Sequence, residues 1–146
     1  MNFGAVKNVV GTFYQPDVVV YHTDFLKSLS KKEILSGFGE IIKHDLLSDA
    51  YLLHNILDEN TRLEHYVFDA NLIEDILHRS MLVKKLYIEM DVYDKGKRRY
   101  LNFGHTLAHG LEIISNISHG EAVIMGILFA LFVFTHPYFP VLKRKL

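Results

Sequence analysis

The run Ala122–Phe134, AVIMGILFALFVF, carries no charged or polar side chain in 13 residues. It is too short to cross a bilayer, which takes roughly 20 residues of helix. It therefore reads as a core helix, with Pro137 and Pro140 to end it; the basic end LKRKL leaves a tail anchor as the alternative. A helix that is apolar all round needs covering on every side. Whatever this chain folds into must wrap other elements around Ala122–Phe134, or leave part of it for something else to cover.

The covering material reads as helical. Ser30-Lys-Lys-Glu33 is a capping box, and the helix it opens carries Ile34, Leu35, Phe38, Ile41 and Ile42 on one side. Glu40 and Lys43 point largely the other way. Ser48-Asp49 starts a second helix with Leu52, Leu53, Ile56 and Leu57 inward. Asp69 can cap a third, with Leu72, Ile73, Ile76, Leu77 and Leu86 inward. A charged turn, Asp91–Gly96, precedes a fourth helix from about Phe103 to Ser115, and the apolar fifth runs from about Glu121 to Phe134. The β-branched run Val18–Tyr21 reads as one strand. A single strand needs a partner for its amides and carbonyls. The expectation is a mainly α chain with one short strand near its N-terminus. The lone strand and the apolar helix both point to a part of something larger.

The totals narrow the function. The chain has 146 residues, about one domain's worth, and 49% of them are apolar. A net charge of −1 argues against a nucleic-acid surface. There is no cysteine, which removes disulfides and thiolate metal sites and fits a reducing, cytoplasmic setting. The start, MNFGAVKNVVG, lacks the apolar stretch of a signal peptide. Any metal must be held by histidine and carboxylate.

Those groups cluster in GKRRYLNFGHTLAHGLEIISNISHGEAV, Gly96–Val123. His105 and His109, four apart, share a helix face. His119 follows the loop SNIS, and the chain can fold back there so that His105 and His119 converge. Two imidazoles, one carboxylate and an open position make a catalytic zinc site. Glu40 is the best candidate for the carboxylate, mid-helix and beside Gly37, which clears space. Glu40 with Lys43 equally reads as an ordinary exposed ion pair of small worth. HTLAH is not the HExxH of zinc proteases; a zinc hydrolase would need Glu121 as its general base. Arg98 offers a fork suited to phosphate or carboxylate, Asn102 can bond a hydroxyl, and Lys84 and Lys7-Asn8 add donors. As part of KGKRR, Arg98 also reads as a solvated charge.

The words LNFGHTLAHGLE, HGEAV, SGFGEIIKH, GTFYQP and TDFLKSL occur in this chain together. From Asn2 to about Phe132 it resembles the 3-dehydroquinate synthases, sugar-phosphate cyclases of the shikimate pathway of aromatic amino acid biosynthesis. The resemblance implies a two-domain enzyme: an NAD-binding α/β domain and a mostly helical domain for zinc and substrate. Residues 1–146 are expected to be a partial C-terminal helical domain, lacking the NAD-binding domain and the end of its own. Val6 stands where the family usually has glycine.

By motif, the resemblance implies Glu40, His105 and His119 as ligands of zinc or cobalt, which these ligand types do not separate. It implies Lys43, Lys84, Arg98, Asn102, His109 and Asn8 as substrate contacts. Lys7 and Phe25, Leu26, Lys27 and Ser28 match positions that touch NAD. Asp91, Asp94 and Gly96 resemble the family's acidic turn before the arginine. The implied lyase reaction takes 3-deoxy-D-arabino-heptulosonate 7-phosphate to 3-dehydroquinate and phosphate, in a cytoplasmic homodimer without nucleic-acid or membrane partners. Deoxy-inosose and valiolone synthases share the ligand set, and Arg98 with Asn102 favours the carboxylate-bearing substrate. The other reading is a non-catalytic helical remnant; in either case no turnover is expected of this chain alone.

Overall fold

The computed structural model describes residues 3, 9–12, 14–48, 70–137, 140 and 143, and for 70–72 the backbone alone. Four α-helices stand among them: α1 (Lys31–Leu46), α2 (Ala70–Met90), α3 (His105–Ile114) and α4 (His119–Val133). Short 3-10 helices, Thr23–Ser28 and Lys97–Asn102, precede α1 and α3. The mainly helical expectation holds. The helix expected after Ser48 and the Asp69 cap lie outside the described residues.

The starts of α1, α3 and α4 and the end of α4 have local causes. The Ser30 hydroxyl accepts the Glu33 amide at 3.3 Å, and the Ser30 amide donates to the Glu33 carboxylate at 2.7 Å, so the predicted capping box forms. α3 starts at His105, two residues later than expected, because Gly104 is left-handed at φ 82°. α4 starts two residues early, because Ser118 and Glu121 form a second capping box with His119 as the first helical residue. Its end is a Schellman motif. The His136 amide donates to the Leu131 carbonyl at 2.8 Å and the Thr135 amide to Phe132 at 3.0 Å, with Thr135 at φ 51°.

α4 packs against α3 on one side and α1 on another, and α1 packs in turn against α2. Phe38, Ile41 and Ile42 of α1 are buried with Ile76 of α2, Ala108 of α3 and Ala122, Val123, Ile127 and Leu131 of α4. Leu86, expected inward, is exposed. α1 has ended at Leu46, and at that level Tyr87, one position on, faces it by donating its hydroxyl to the Leu47 carbonyl at 2.9 Å.

Two glycine contacts let α4 come so close. A Cβ on Gly120 would lie 1.7 Å from the Ser36 carbonyl oxygen, and one on Gly39 would lie 2.6 Å from that of Gly120. A Cβ on Gly126 would lie 2.0 Å from the Gly104 carbonyl oxygen. The first contact brings α1 onto the start of α4; the second brings the start of α3 onto its middle.

Two expectations about the exterior resolve differently. Val18–Tyr21 belongs to no sheet, and its four side chains are exposed. A strand needs a ladder partner, and none faces it among the described residues; Tyr21 instead bonds His78 of α2 at 2.7 Å. α4 does leave apolar surface uncovered: Met125, Phe129, Phe132 and Val133 are exposed along its outer side. No helix among the described residues is long and apolar enough to cross a membrane.

Candidate metal centre

Glu40 sits mid-way along α1, His105 opens α3 and His119 opens α4. Those three helix positions meet where the glycine contacts bring the helices together. One ligand atom from each lies within 4.8 Å of the others. Glu40 Oε1 is 3.6 Å from His105 Nε2 and 3.8 Å from His119 Nε2. Gly37, expected to clear space for Glu40, has nothing near enough for a Cβ to touch; the glycine that permits the approach is Gly39.

The far atom of every ligand is already engaged. Lys43 Nζ donates to Glu40 Oε2. His105 Nδ1 is 3.3 Å from the Phe103 carbonyl, and His119 Nδ1 is 3.1 Å from Glu112 Oε1. A carbonyl can only accept, so His105 Nδ1 carries a proton, and with that ring neutral its Nε2 keeps the lone pair; a Glu112 carboxylate accepting from His119 Nδ1 selects the same arrangement in a neutral His119 ring. In that tautomer three acceptor atoms face one point.

Glu40 Oε1 is buried and has no hydrogen-bond partner among the described residues. An acceptor left so is costly, and the imidazole nitrogens at 3.6 and 3.8 Å are too far to serve it. Two ligands about 2.1 Å from one tetrahedral cation stand about 3.4 Å apart. The residues fit a divalent cation. Charge state agrees: burial, then the Lys43 charge, pulls the His105 pKa down and keeps the ring neutral for ligation. For Glu40, burial pushes the carboxyl upward, but the Lys43 hydrogen bond and charge outweigh it, and the net shift is down.

A cavity of about 250 Å³ adjoins the cluster. Four of the expected substrate contacts line it, Lys43, Lys84, Arg98 and Asn102, together with Glu40 and His105. Lys43 is only 3% exposed, so its pair with Glu40 is buried chemistry and not the ordinary surface ion pair that the spacing allowed. Burial lowers the Lys43 pKa, against the opposing bond to Glu40. Arg98 is delivered by a built turn. The Asp91 carboxylate accepts the backbone amides of Lys95, Gly96 and Arg98, and Arg98 Nη1 donates to the Val92 carbonyl at 2.8 Å. Those amides, Lys95 first, hold the Asp91 carboxyl below its usual range.

His109 is not among the cavity-lining residues; it is exposed, its ring edge-on to His105 at 5.7 Å. Phe25, Leu26, Lys27 and Ser28 sit in the first 3-10 helix, against α2 and not in the cavity. Lys7 and Asn8 lie outside the described residues. Two residues that the sequence reading missed stand at the centre. His44 lines the cavity, buried, with Nδ1 2.7 Å from Ser80 Oγ; burial, then the Lys43 charge, lowers its pKa to about 4. Nothing in the sequence marks His44 beyond its type. Glu112 follows His105 by two helical turns, a spacing that could have flagged it.

A family model described as 3-dehydroquinate synthase C-terminal matches residues 37–139, and one described as 3-dehydroquinate synthase N-terminal matches residues 1–36. The chain belongs to the 3-dehydroquinate synthase family. It is 46% identical over 135 residues to the 3-dehydroquinate synthase of Bacillus cereus (strain G9842). It is 45% identical over 139 residues to that of Bacillus cytotoxicus. Each match takes in 90% of this chain but only 37% and 36% of the respective relative, so the chain spans little more than a third of their length. The two family models meet between Ser36 and Gly37, inside α1 and one turn before Glu40.

Proposed function

We propose that these residues are the metal- and substrate-binding portion of a 3-dehydroquinate synthase, a cytoplasmic, homodimeric carbon–oxygen lyase of the shikimate pathway. The convergence of Glu40, His105 and His119 on one point beside a cationic cavity carries this reading. Glu40 Oε1 and the two Nε2 atoms would hold zinc or cobalt, which supplies Lewis acidity toward a substrate hydroxyl.

The chain's own residues then have distinct tasks. The substrate, 3-deoxy-D-arabino-heptulosonate 7-phosphate, carries a carboxylate and a phosphate. Lys43, Lys84 and Arg98, from three different elements, bring three cationic groups to the cavity lining alongside Glu40 and Asp94, and anchor points of this kind hold such a ligand as a single conformer. Arg98 suits a planar anion through its fork, and Asn102 a hydroxyl. The neutral His105 ring can ligate without first shedding a proton. Lys43 keeps Glu40 ionised, and so ready as a ligand.

The reaction also requires NAD. Phe25, Lys27 and Ser28 are exposed and Leu26 half-buried on the first 3-10 helix, and the chain spans little more than a third of its relatives' length. No hydride step is therefore assigned to them, and the chain alone is expected to give no turnover. Two measurements test the reading. The purified chain should take up one divalent ion, and Glu40→Ala should abolish that uptake. Phosphate release from the substrate with NAD and metal should equal the protein-free control; release above it would refute the partial-enzyme reading.

A further inference from the structure

We infer that Glu112 is a positioning residue of the metal centre: it holds His119 in the tautomer and orientation that aim Nε2 at the cation. The inference rests on the metal-site reading above and extends it to the second layer of groups.

The two histidines are supported unequally. His105 is enclosed, its side chain 16% exposed, and its Nδ1 bonds the carbonyl of Phe103, two residues back on the same chain. His119 is 46% exposed and sits at the first residue of α4. An exposed imidazole has free rotation about two side-chain bonds and a choice of two tautomers. Its contacts here are the His105 ring, edge-on at 5.2 Å, Glu40 Oε1 at 3.8 Å and Glu112 Oε1 at 3.1 Å. Among the described residues, only the last is within hydrogen-bond range.

Glu112 is well placed to act as that anchor. It lies on α3 seven residues after His105, close to two turns, so both project from one side of the helix. Its side chain is 17% exposed, against 46% for the histidine that it holds. α3 thus supplies one ligand itself and orients the other across the Ser115–Ser118 loop. A carboxylate on Nδ1 fixes the proton there, leaves the Nε2 lone pair outward and makes the ring a stronger donor. Outer partners of this kind are commonly worth 10- to 100-fold in metal affinity.

The test compares the unsubstituted chain with Glu112→Gln and Glu112→Ala. Zinc or cobalt affinity is measured by competition with a chromophoric chelator. The His119 tautomer is read from two-bond 1H–15N spectra of the metal-free chain at about pH 8, where an ordinary imidazole is neutral. The expected result is a roughly 10- to 100-fold loss of affinity in Glu112→Ala and a smaller loss in Glu112→Gln, whose amide oxygen can still accept. The His119 signal should move from the Nδ1–H form in Glu112→Ala and stay closer to it in Glu112→Gln. Unchanged affinity in both variants, with a metal-binding parent, overturns this inference alone. So does lost affinity with an unchanged His119 tautomer in Glu112→Ala, which would place the effect in the fold. A parent chain that binds no metal overturns the metal centre itself. If Glu112→Ala does not fold, the affinity of the near-isosteric Glu112→Gln decides.

Discussion

Glu40 and His119 stand 79 positions apart (119 − 40), yet Oε1 of one lies 3.8 Å from Nε2 of the other. Their neighbours explain why. Gly39 and Gly120 touch where α1 crosses α4, and the Gly120 amide donates to Ser36 Oγ at 2.9 Å. A methyl group at position 120 would overlap the Ser36 backbone. Gly120→Ala is expected to destabilise the chain by about 1–3 kcal/mol or more and to weaken metal binding with it. Gly37→Ala is the control. It meets no neighbour and removes an exposed helical glycine, so a gain of about 0.5–1 kcal/mol is expected. Urea denaturation of both variants checks the pair.

Metal binding should be visible as stability. A ligand that binds only the folded chain adds about 2.7 kcal/mol at 100-fold excess over Kd. Thermal unfolding with and without zinc should show that increment in the unsubstituted chain. Glu40→Ala should show none, because the unpartnered Oε1 that faces the two histidines is gone.

His44 sets an acid limit. In the unfolded chain its pKa is near the ordinary 6.5; buried in the fold it is lowered to about 4. Between those values the unfolded chain binds the extra proton, so stability falls as pH drops from about 6.5 towards 4 and is unaffected by this group above 6.5. The full loss is on the order of 3 kcal/mol. Denaturation midpoints of the metal-free chain from pH 8 to 4 should decline over that window. His44→Gln should decline less.

The outer side of α4 should be adhesive. Met125, Phe129, Phe132 and Val133 make a continuous apolar strip in the spacing of one helix face. Phe129→Ser with Phe132→Ser is expected to lower binding of a hydrophobic fluorescent dye and to reduce self-association in light scattering. Both residues are exposed, so helix content should change little.

Chemistry written within three or four residues was legible from the sequence. The Ser30–Glu33 box starts α1 where read, and the unbroken apolar run becomes most of α4, although one side of it stays bare where its all-round pattern called for cover. The convergence of two imidazoles and one carboxylate was legible in part, because without cysteine only histidine and carboxylate remained as candidate ligand types. The same kind of box at Ser118–Glu121 makes His119 the first residue of α4, where the sequence reading has it just before the helix. The tertiary structure alone decided that Gly39 and not Gly37 admits Glu40, that Val18–Tyr21 joins no sheet, that His44 is buried at the cavity, and that Glu112 backs His119. Each of these depends on the distance between helices far apart in the chain. That distance is set by which small residues meet at a crossing, and no local spacing records it.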